Sequence, residues 1–254
     1  MLSILQLPAL NDNYIYLIHD PASGETAAVD PAIAQTVLDV LEQKGWRLTT
    51  ILNTHHHSDH VGGNLELKQK TGCTVVAAIS DQNRIPGIDH GVVDGDAITL
   101  GKHTARVIST PGHTSSHVVY HFTDDHALFC GDTLFVMGCG RLFEGTAEQM
   151  WHSLQKLKVL PAATKIYCAH EYTQANGRFA LTLEPENRQL QQRMEAINQL
   201  RAKHLPTVPS TIEQELATNP FFREDSFTLQ KTIKMVGKMP VEIFAEVRRL
   251  KDGF

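Results

Sequence analysis

The run Thr54-His55-His56-His57-Ser58-Asp59-His60 constrains this chain most, because it places five metal-ligand side chains within six residues. It follows the apolar segment Thr50-Ile51-Leu52-Asn53 and precedes Val61-Gly62-Gly63. That order reads as a buried strand ending in a loop, followed by a helix start. On extended backbone alternate side chains point the same way, so His55 and His57 can share one ion. Asp59 and His60 lie past the bend and can reach a second centre. Imidazole with carboxylate is the donor set of hydrolytic zinc, manganese or iron sites. A solvated histidine-rich loop has the same composition, so the run needs support from elsewhere in the chain.

Three later segments supply it. Thr110-Pro111-Gly112-His113-Thr114 follows the strand-like Thr104-Ala105-Arg106-Val107-Ile108, and Gly131-Asp132-Thr133 follows Ala127-Leu128-Phe129-Cys130. Ala169-His170-Glu171 follows Lys165-Ile166-Tyr167-Cys168. A metal site on one edge of a sheet is built this way, with a ligand at the end of each successive strand. His56 should point away from His55 and His57, and His117 could orient a loop. The other histidines lack a ligand pattern. Gly62-Gly63 is expected to let backbone approach the metal loop closely. The G-x-G-x-x-G spacing of a phosphate loop is absent.

The chain's 254 residues suit one large domain or two modest ones, and 42% apolar residues suffice for a folded core. A net charge of −5 gives no general attraction to nucleic acid or membrane. No stretch approaches a transmembrane span, and Met1-Leu2-Ser3-Ile4-Leu5-Gln6 lacks the basic region of a signal peptide. Cys73, Cys130, Cys139 and Cys168 show neither zinc-ribbon nor disulfide spacing. Reduced thiols in the cytoplasm are the simplest account, and no cysteine is expected to be a nucleophile.

Residues 1–171 alternate short β-rich runs with turns and a few helices. Asn13–His19 and Thr26–Val29 flank a hairpin turn at Asp20–Gly24, and Ala32–Lys44 has helical spacing ending at Gly45. Over residues 172–254 strand signals nearly vanish. Helices are expected at Gln189–Lys203, Thr211–Ala217, Leu229–Val236 and Val241–Leu250, separated by prolines. Mixed elements followed by helices fit a layered α/β domain with a smaller all-helical one.

The order HxHxDH, PGHT, GDTLF and a last histidine resembles the metallo-β-lactamase superfamily. GCGRLFEGT (Gly138 to Thr146), AHEYT (Ala169 to Thr173), NPFFR (Asn219 to Arg223) and the pair Arg248 and Lys251 narrow the likeness to one branch. That branch is glyoxalase II, the hydroxyacylglutathione hydrolases, and the likeness runs along essentially the whole chain from Asn11-Asp12-Asn13-Tyr14 onward.

The resemblance implies an αββα sandwich over residues 1–171 and a helical substrate-binding domain over 172–254. It implies two divalent ions per chain, zinc first with iron or manganese tolerated. His55, His57 and His113 would hold one, Asp59, His60 and His170 the other, and Asp132 would bridge them. Asp59 and Asp132 would act as the catalytic carboxylates around a metal-bridging hydroxide. The implied reaction is hydrolysis of S-(2-hydroxyacyl)glutathione, typified by S-D-lactoylglutathione, the second step of methylglyoxal detoxification. A thiolate leaving group, with a thiol pKa of about 8.5, departs without a general acid, and the motifs contain no spare one. In the family the glutathione carboxylate meets Arg248, Lys251, a basic residue matched by Arg141 and two aromatic hydroxyls. Tyr172 matches one hydroxyl, and Phe143 stands where some members have Tyr. Read without the family, Arg248 and Lys251 also suit an ordinary solvated helix end. A cytoplasmic monomer without nucleic-acid or membrane partners is expected. The competing readings are a mononuclear iron persulfide dioxygenase, which would not need the C-terminal helices, and a non-enzymatic scaffold, which would usually have lost ligands. A β-lactamase often carries Cys near the bridging position, where this chain has Asp132.

Overall fold

Alternation along the second strand sets the layering of the first half of the chain. The computed structural model describes residues 1–254, which form two units. One is Met1–Ser109 with Ser116–Gly131, and the other is Thr110–Ser115 with Asp132–Phe254.

The first unit begins β1 (Ser3–Ala9), β2 (Asn13–His19), β3 (Glu25–Val29), α1 (Ala34–Lys44) and β4 (Arg47–Leu52). It continues α2 (Ser58–Val61), α3 (Asn64–Thr71), β5 (Thr74–Ala78) and β6 (His90–Val92). These strands make one sheet in chain order, antiparallel from β1 to β3 and parallel from β3 to β6. An antiparallel meander follows: β7 (Ala97–Leu100), β8 (His103–Ser109), β9 (Val118–Phe122) and β10 (Ala127–Gly131). All seven residues of β2 are buried, because the strand is covered on both faces. Ile15 and Leu17 pack with Val37 and Leu41 of α1 and Leu67 of α3. Tyr16, pointing the other way, meets Phe129 of β10 with ring centroids 5.5 Å apart. Helices, sheet and second sheet are thus stacked in this unit.

The hairpin between β2 and β3 forms where expected. Asp20 accepts from the Ala22 amide through its side chain at 2.9 Å and from the Gly24 amide through its carbonyl, also at 2.9 Å. Because β3, β4 and β5 run parallel, their C-terminal ends share one edge. Asp30, the Thr54–His60 run and Asp81 all emerge there.

The glycine pair needs a correction. A Cβ on Gly63 would lie 2.6 Å from the Pro31 carbonyl oxygen, and one on Gly62 would lie 2.6 Å from that of Ala32. The close approach is chiefly to the segment after β3, which the Gly63 amide also bonds through the Pro31 carbonyl at 2.7 Å. That segment is extended at Ile33, so α1 starts at Ala34 rather than Ala32.

The second unit contains a short hairpin of β11 (Leu134–Phe135) and β12 (Gly138–Cys139), then α4 (Ala147–Lys158) and β13 (Lys165–Cys168). α5 (Thr173–Leu183), α6 (Arg188–Ala202), β14 (Ser210–Thr211), α7 (Ile212–Thr218), α8 (Phe227–Thr232) and α9 (Pro240–Asp252) complete it. α4 starts with a reciprocal Thr146/Gln149 cap and buries Met150, Ser153, Leu154 and Leu157, one face at helical spacing. α5 was not anticipated. Gly177 interrupts its helical signal, but a Cβ there would collide with the Met194 sulfur of α6, so glycine permits the close packing of the two helices. α8 ends four residues short of the expected Val236, where Lys234 (φ 61°) and Gly237 (φ 78°) leave helical geometry. No helix is long and apolar enough to cross a membrane.

Candidate metal centre

In the first unit, the end of β4 turns directly into the ligand loop. Asn53 is fully buried, donates to the His60 carbonyl at 3.1 Å and accepts from Asn64 Nδ2 at 2.7 Å. Those bonds fix the loop at both ends. His55 Nε2 and His57 Nδ1 lie 3.1 Å apart, so the alternate residues of the extended segment do converge. The single turn of α2 brings Asp59 Oδ2 within 3.5 Å of His60 Nε2. Asn13 Nδ2 donates to the same Asp59 oxygen at 3.0 Å.

Asp30 organises this half. Its Oδ1 accepts the Thr54 amide at 2.8 Å, and its Oδ2 accepts the Thr54 hydroxyl at 2.7 Å. Since the hydroxyl donates to the carboxylate, the 2.9 Å contact between Thr54 Oγ1 and His55 Nδ1 assigns the imidazole as donor. Asp30 Oδ2 also lies 3.0 Å from His60 Nδ1. One carboxylate therefore sets the tautomer of two histidines, leaving each Nε2 as a lone pair. Asp30, His55 and His60 are buried together, and since both Asp30 oxygens are taken by Thr54 and the His60 N–H, Asp30 supports the imidazoles from behind. Asp30 was missed in the sequence, although it ends a strand as the expected ligands do.

His56 turns away from the other histidines, as expected, with its Nδ1 3.5 Å from Asp81. Arg84 holds the same Asp81 through Nε at 2.8 Å. His117 stacks on His55 with centroids 4.8 Å apart.

The second unit carries the other ligand candidates. Asp132 Oδ2 lies 3.4 Å from His113 Nε2, and Asp132 Oδ1 lies 3.4 Å from His170 Nε2. A single carboxylate thus offers one oxygen to each of two imidazoles. His113 Nδ1 donates to the Arg141 carbonyl at 2.8 Å, which again leaves Nε2 as the lone pair. Donors about 2.0–2.1 Å from a tetrahedral zinc stand about 3.3–3.4 Å from one another. The pair separations, 3.1, 3.5, 3.4 and 3.4 Å, match that spacing, so these residues fit divalent ions.

The expected recognition residues lie in this unit too. Tyr172 stacks on His170 with centroids 4.8 Å apart and planes 3° from parallel. Phe143 is 58% exposed, packs edge-on to His113 at 5.1 Å and lies 5.3 Å from the Arg141 guanidinium carbon. Arg248 is buried. Lys251 is half-buried between Phe179 and Phe254, its ammonium 5.4 and 5.2 Å from their ring centroids. Burial pulls its pKa below the ordinary lysine value, and the charges of Arg248 and Arg178 pull it further. Burial disfavours the thiolate at two of the cysteines, pushing Cys168 up to about 12 and Cys139 up to about 11.

Residues 11–170 match the model of the metallo-beta-lactamase superfamily, and residues 171–254 match that of the hydroxyacylglutathione hydrolase C-terminus. The chain is 60% identical over 254 residues to a hydroxyacylglutathione hydrolase of Methylococcus capsulatus, covering 100% of this chain and 99% of that one. It is 52% identical over 253 residues to one from Rhodospirillum rubrum, with the same coverage. Among solved structures it resembles ETHE1 from Myxococcus xanthus, with a TM-score of 0.68 and 25% identity over 99% of this chain and 98% of that one.

Proposed function

The chain belongs to the hydroxyacylglutathione hydrolases of the metallo-β-lactamase superfamily, and from that membership we propose that it hydrolyses S-(2-hydroxyacyl)glutathione thioesters. S-D-lactoylglutathione is the representative substrate, giving glutathione and D-lactate. The observation that carries the reading is Asp132, with one oxygen toward each of two histidines. By family position His55, His57 and His113 would hold one ion, Asp59, His60 and His170 would hold a second, and Asp132 would serve both. Divalent ions there would supply Lewis acidity and bring the pKa of bound water near neutrality.

The chain's own residues do the rest. Asp59 and Asp132 hold fixed negative charge beside the reacting centre, and Asn13 keeps Asp59 oriented. Asp30 and the Arg141 carbonyl keep the imidazoles in their coordinating tautomers. No acid is required for departure of the thiolate. By family position Arg141, Tyr172, Arg248 and Lys251 would recognise glutathione, with Phe143 packed beside Arg141. Burial chiefly lowers the Lys251 pKa, and the like charges of Arg248 and Arg178 add to it; a bound carboxylate would offset that like-charge part. Zinc is proposed as the native metal. The family matches, which meet at residues 170 and 171, support a catalytic domain over 1–171 and a substrate-binding one over 172–254, a division that differs from the two compact units. Four free, buried cysteines support a reducing compartment, and we assign a cytoplasmic monomer.

Comparing two substrates tests the reading. Lys251→Ala should lose about ten- to a hundredfold in kcat/KM on S-D-lactoylglutathione, the cost of one charge-assisted hydrogen bond. It should keep its activity on a small thioester without glutathione carboxylates. Equal losses on both substrates would contradict glutathione recognition.

A further inference from the structure

Arg248 lies on the buried face of α9 with Ile243, Phe244 and Val247 and is only 4% exposed. Its Nη1 donates to the Cys139 carbonyl at 2.9 Å, and Nη2 pairs with Asp252 at 2.8 Å. The guanidinium carbon lies 5.1 Å from the Phe221 ring centroid. Burying a guanidinium is unfavourable unless its donors are used inside the protein, and two of them are used here.

The carbonyl it grips begins a strip of three residues. Gly140 donates to the Thr133 carbonyl at 3.3 Å, and the Arg141 carbonyl accepts from His113 Nδ1 at 2.8 Å. A Cβ on Gly140 would collide with the Asp132 carbonyl oxygen and come within 3.1 Å of His113 Nδ1. The strip therefore lies flat against two of the proposed ligands, with no room for a side chain between. We propose that Arg248 is a positioning residue: it pins the Cys139-Gly140-Arg141 strip and thereby fixes the His113 ring and the Asp132 backbone. The same strip carries the Arg141 side chain, so a change at α9 reaches both recognition and the ligand set. This role is distinct from holding a substrate carboxylate, and it rests on the reading of His113 as a ligand.

The test is the zinc affinity of the full chain, measured by competition with a chromophoric chelator, beside steady-state kinetics. Arg248→Ala should weaken zinc binding about ten- to a hundredfold, as loss of a ligand's supporting shell does. It should also lower kcat on a small thioester that lacks glutathione. Arg248→Lys, which keeps one donor for the Cys139 carbonyl, should recover most of the zinc affinity. Lys251→Ala, on the same helix, should bind zinc as the unmodified chain does. Unaltered zinc affinity and small-thioester kcat in Arg248→Ala, with only a raised KM for S-D-lactoylglutathione, would overturn the proposal. If that variant does not fold, Arg248→Gln, too short to reach the carbonyl, replaces it with the same two outcomes. His113→Ala separates the premise from the proposal: unchanged zinc affinity there would remove the ligand reading itself.

Discussion

Asp132 is the residue with the most at stake, since its two oxygens face His113 and His170 separately. Asp132→Asn exchanges one oxygen for an amide that cannot ligate. Turnover should fall on the order of a hundredfold or more, as when a key electrostatic group is removed. His56→Ala should cost far less, because that ring faces Asp81. Equal kcat in the two variants would break the ligand assignment. Phe143 offers a gain instead. It is 58% exposed and edge-on to His113, so Phe143→Tyr adds a hydroxyl without disturbing a core. A hydroxyl on the glutathione carboxylate is a charge-assisted hydrogen bond of about 1.5–3 kcal/mol and would lower KM for S-D-lactoylglutathione roughly ten- to a hundredfold. An unchanged KM would place the phenyl ring away from the substrate. Lys251 adds a pH signature. Its pKa is lowered by burial, so the charged form is less favoured folded than unfolded, and its contribution to stability improves as it loses its proton. Recognition has the opposite sign. KM should rise with pH sooner than an ordinary lysine would dictate, and Lys251→Arg should flatten that rise.

At the scale of elements, the join of α2 and α3 is a tight point near the ligand loop. A Cβ on Gly63 would meet backbone atoms, the Pro31 oxygen at 2.6 Å and the Ala34 nitrogen at 2.9 Å, and backbone yields little. Gly63→Ala should cost about 1–3 kcal/mol, the usual range for overpacking. In a chain of this size that is a Tm drop of roughly 2–12 °C, read by thermal melting. An unshifted Tm would mean the segment after β3 gives way freely. The strand ends that carry His55–His60, His113, Asp132 and His170 were legible because apolar runs broken by Gly, Pro or polar residues mark such ends. Asp30 follows the same rule after Thr26–Val29 but lacked a neighbouring histidine to draw notice. α5 was hidden by Gly177, whose value lies in packing on Met194 and has no local signature. The burial of Arg248 could have been read from Phe244, four residues earlier on the same face of α9. Its grip on Cys139, 109 residues away in sequence, could not.

At the scale of the molecule, membership of the hydroxyacylglutathione hydrolases rests on matches over residues 11–170 and 171–254. Composition narrowed this only to a folded chain without a basic surface. The histidine run reached the superfamily, and the C-terminal half reached the branch. The central claim, a two-metal thioester hydrolase, is tested most directly by elemental analysis beside turnover of S-D-lactoylglutathione in one preparation. Fully active protein should contain two divalent ions per chain, lose activity on chelation and regain it when a divalent ion is returned. Full activity with a single ion bound, or with none, would contradict it.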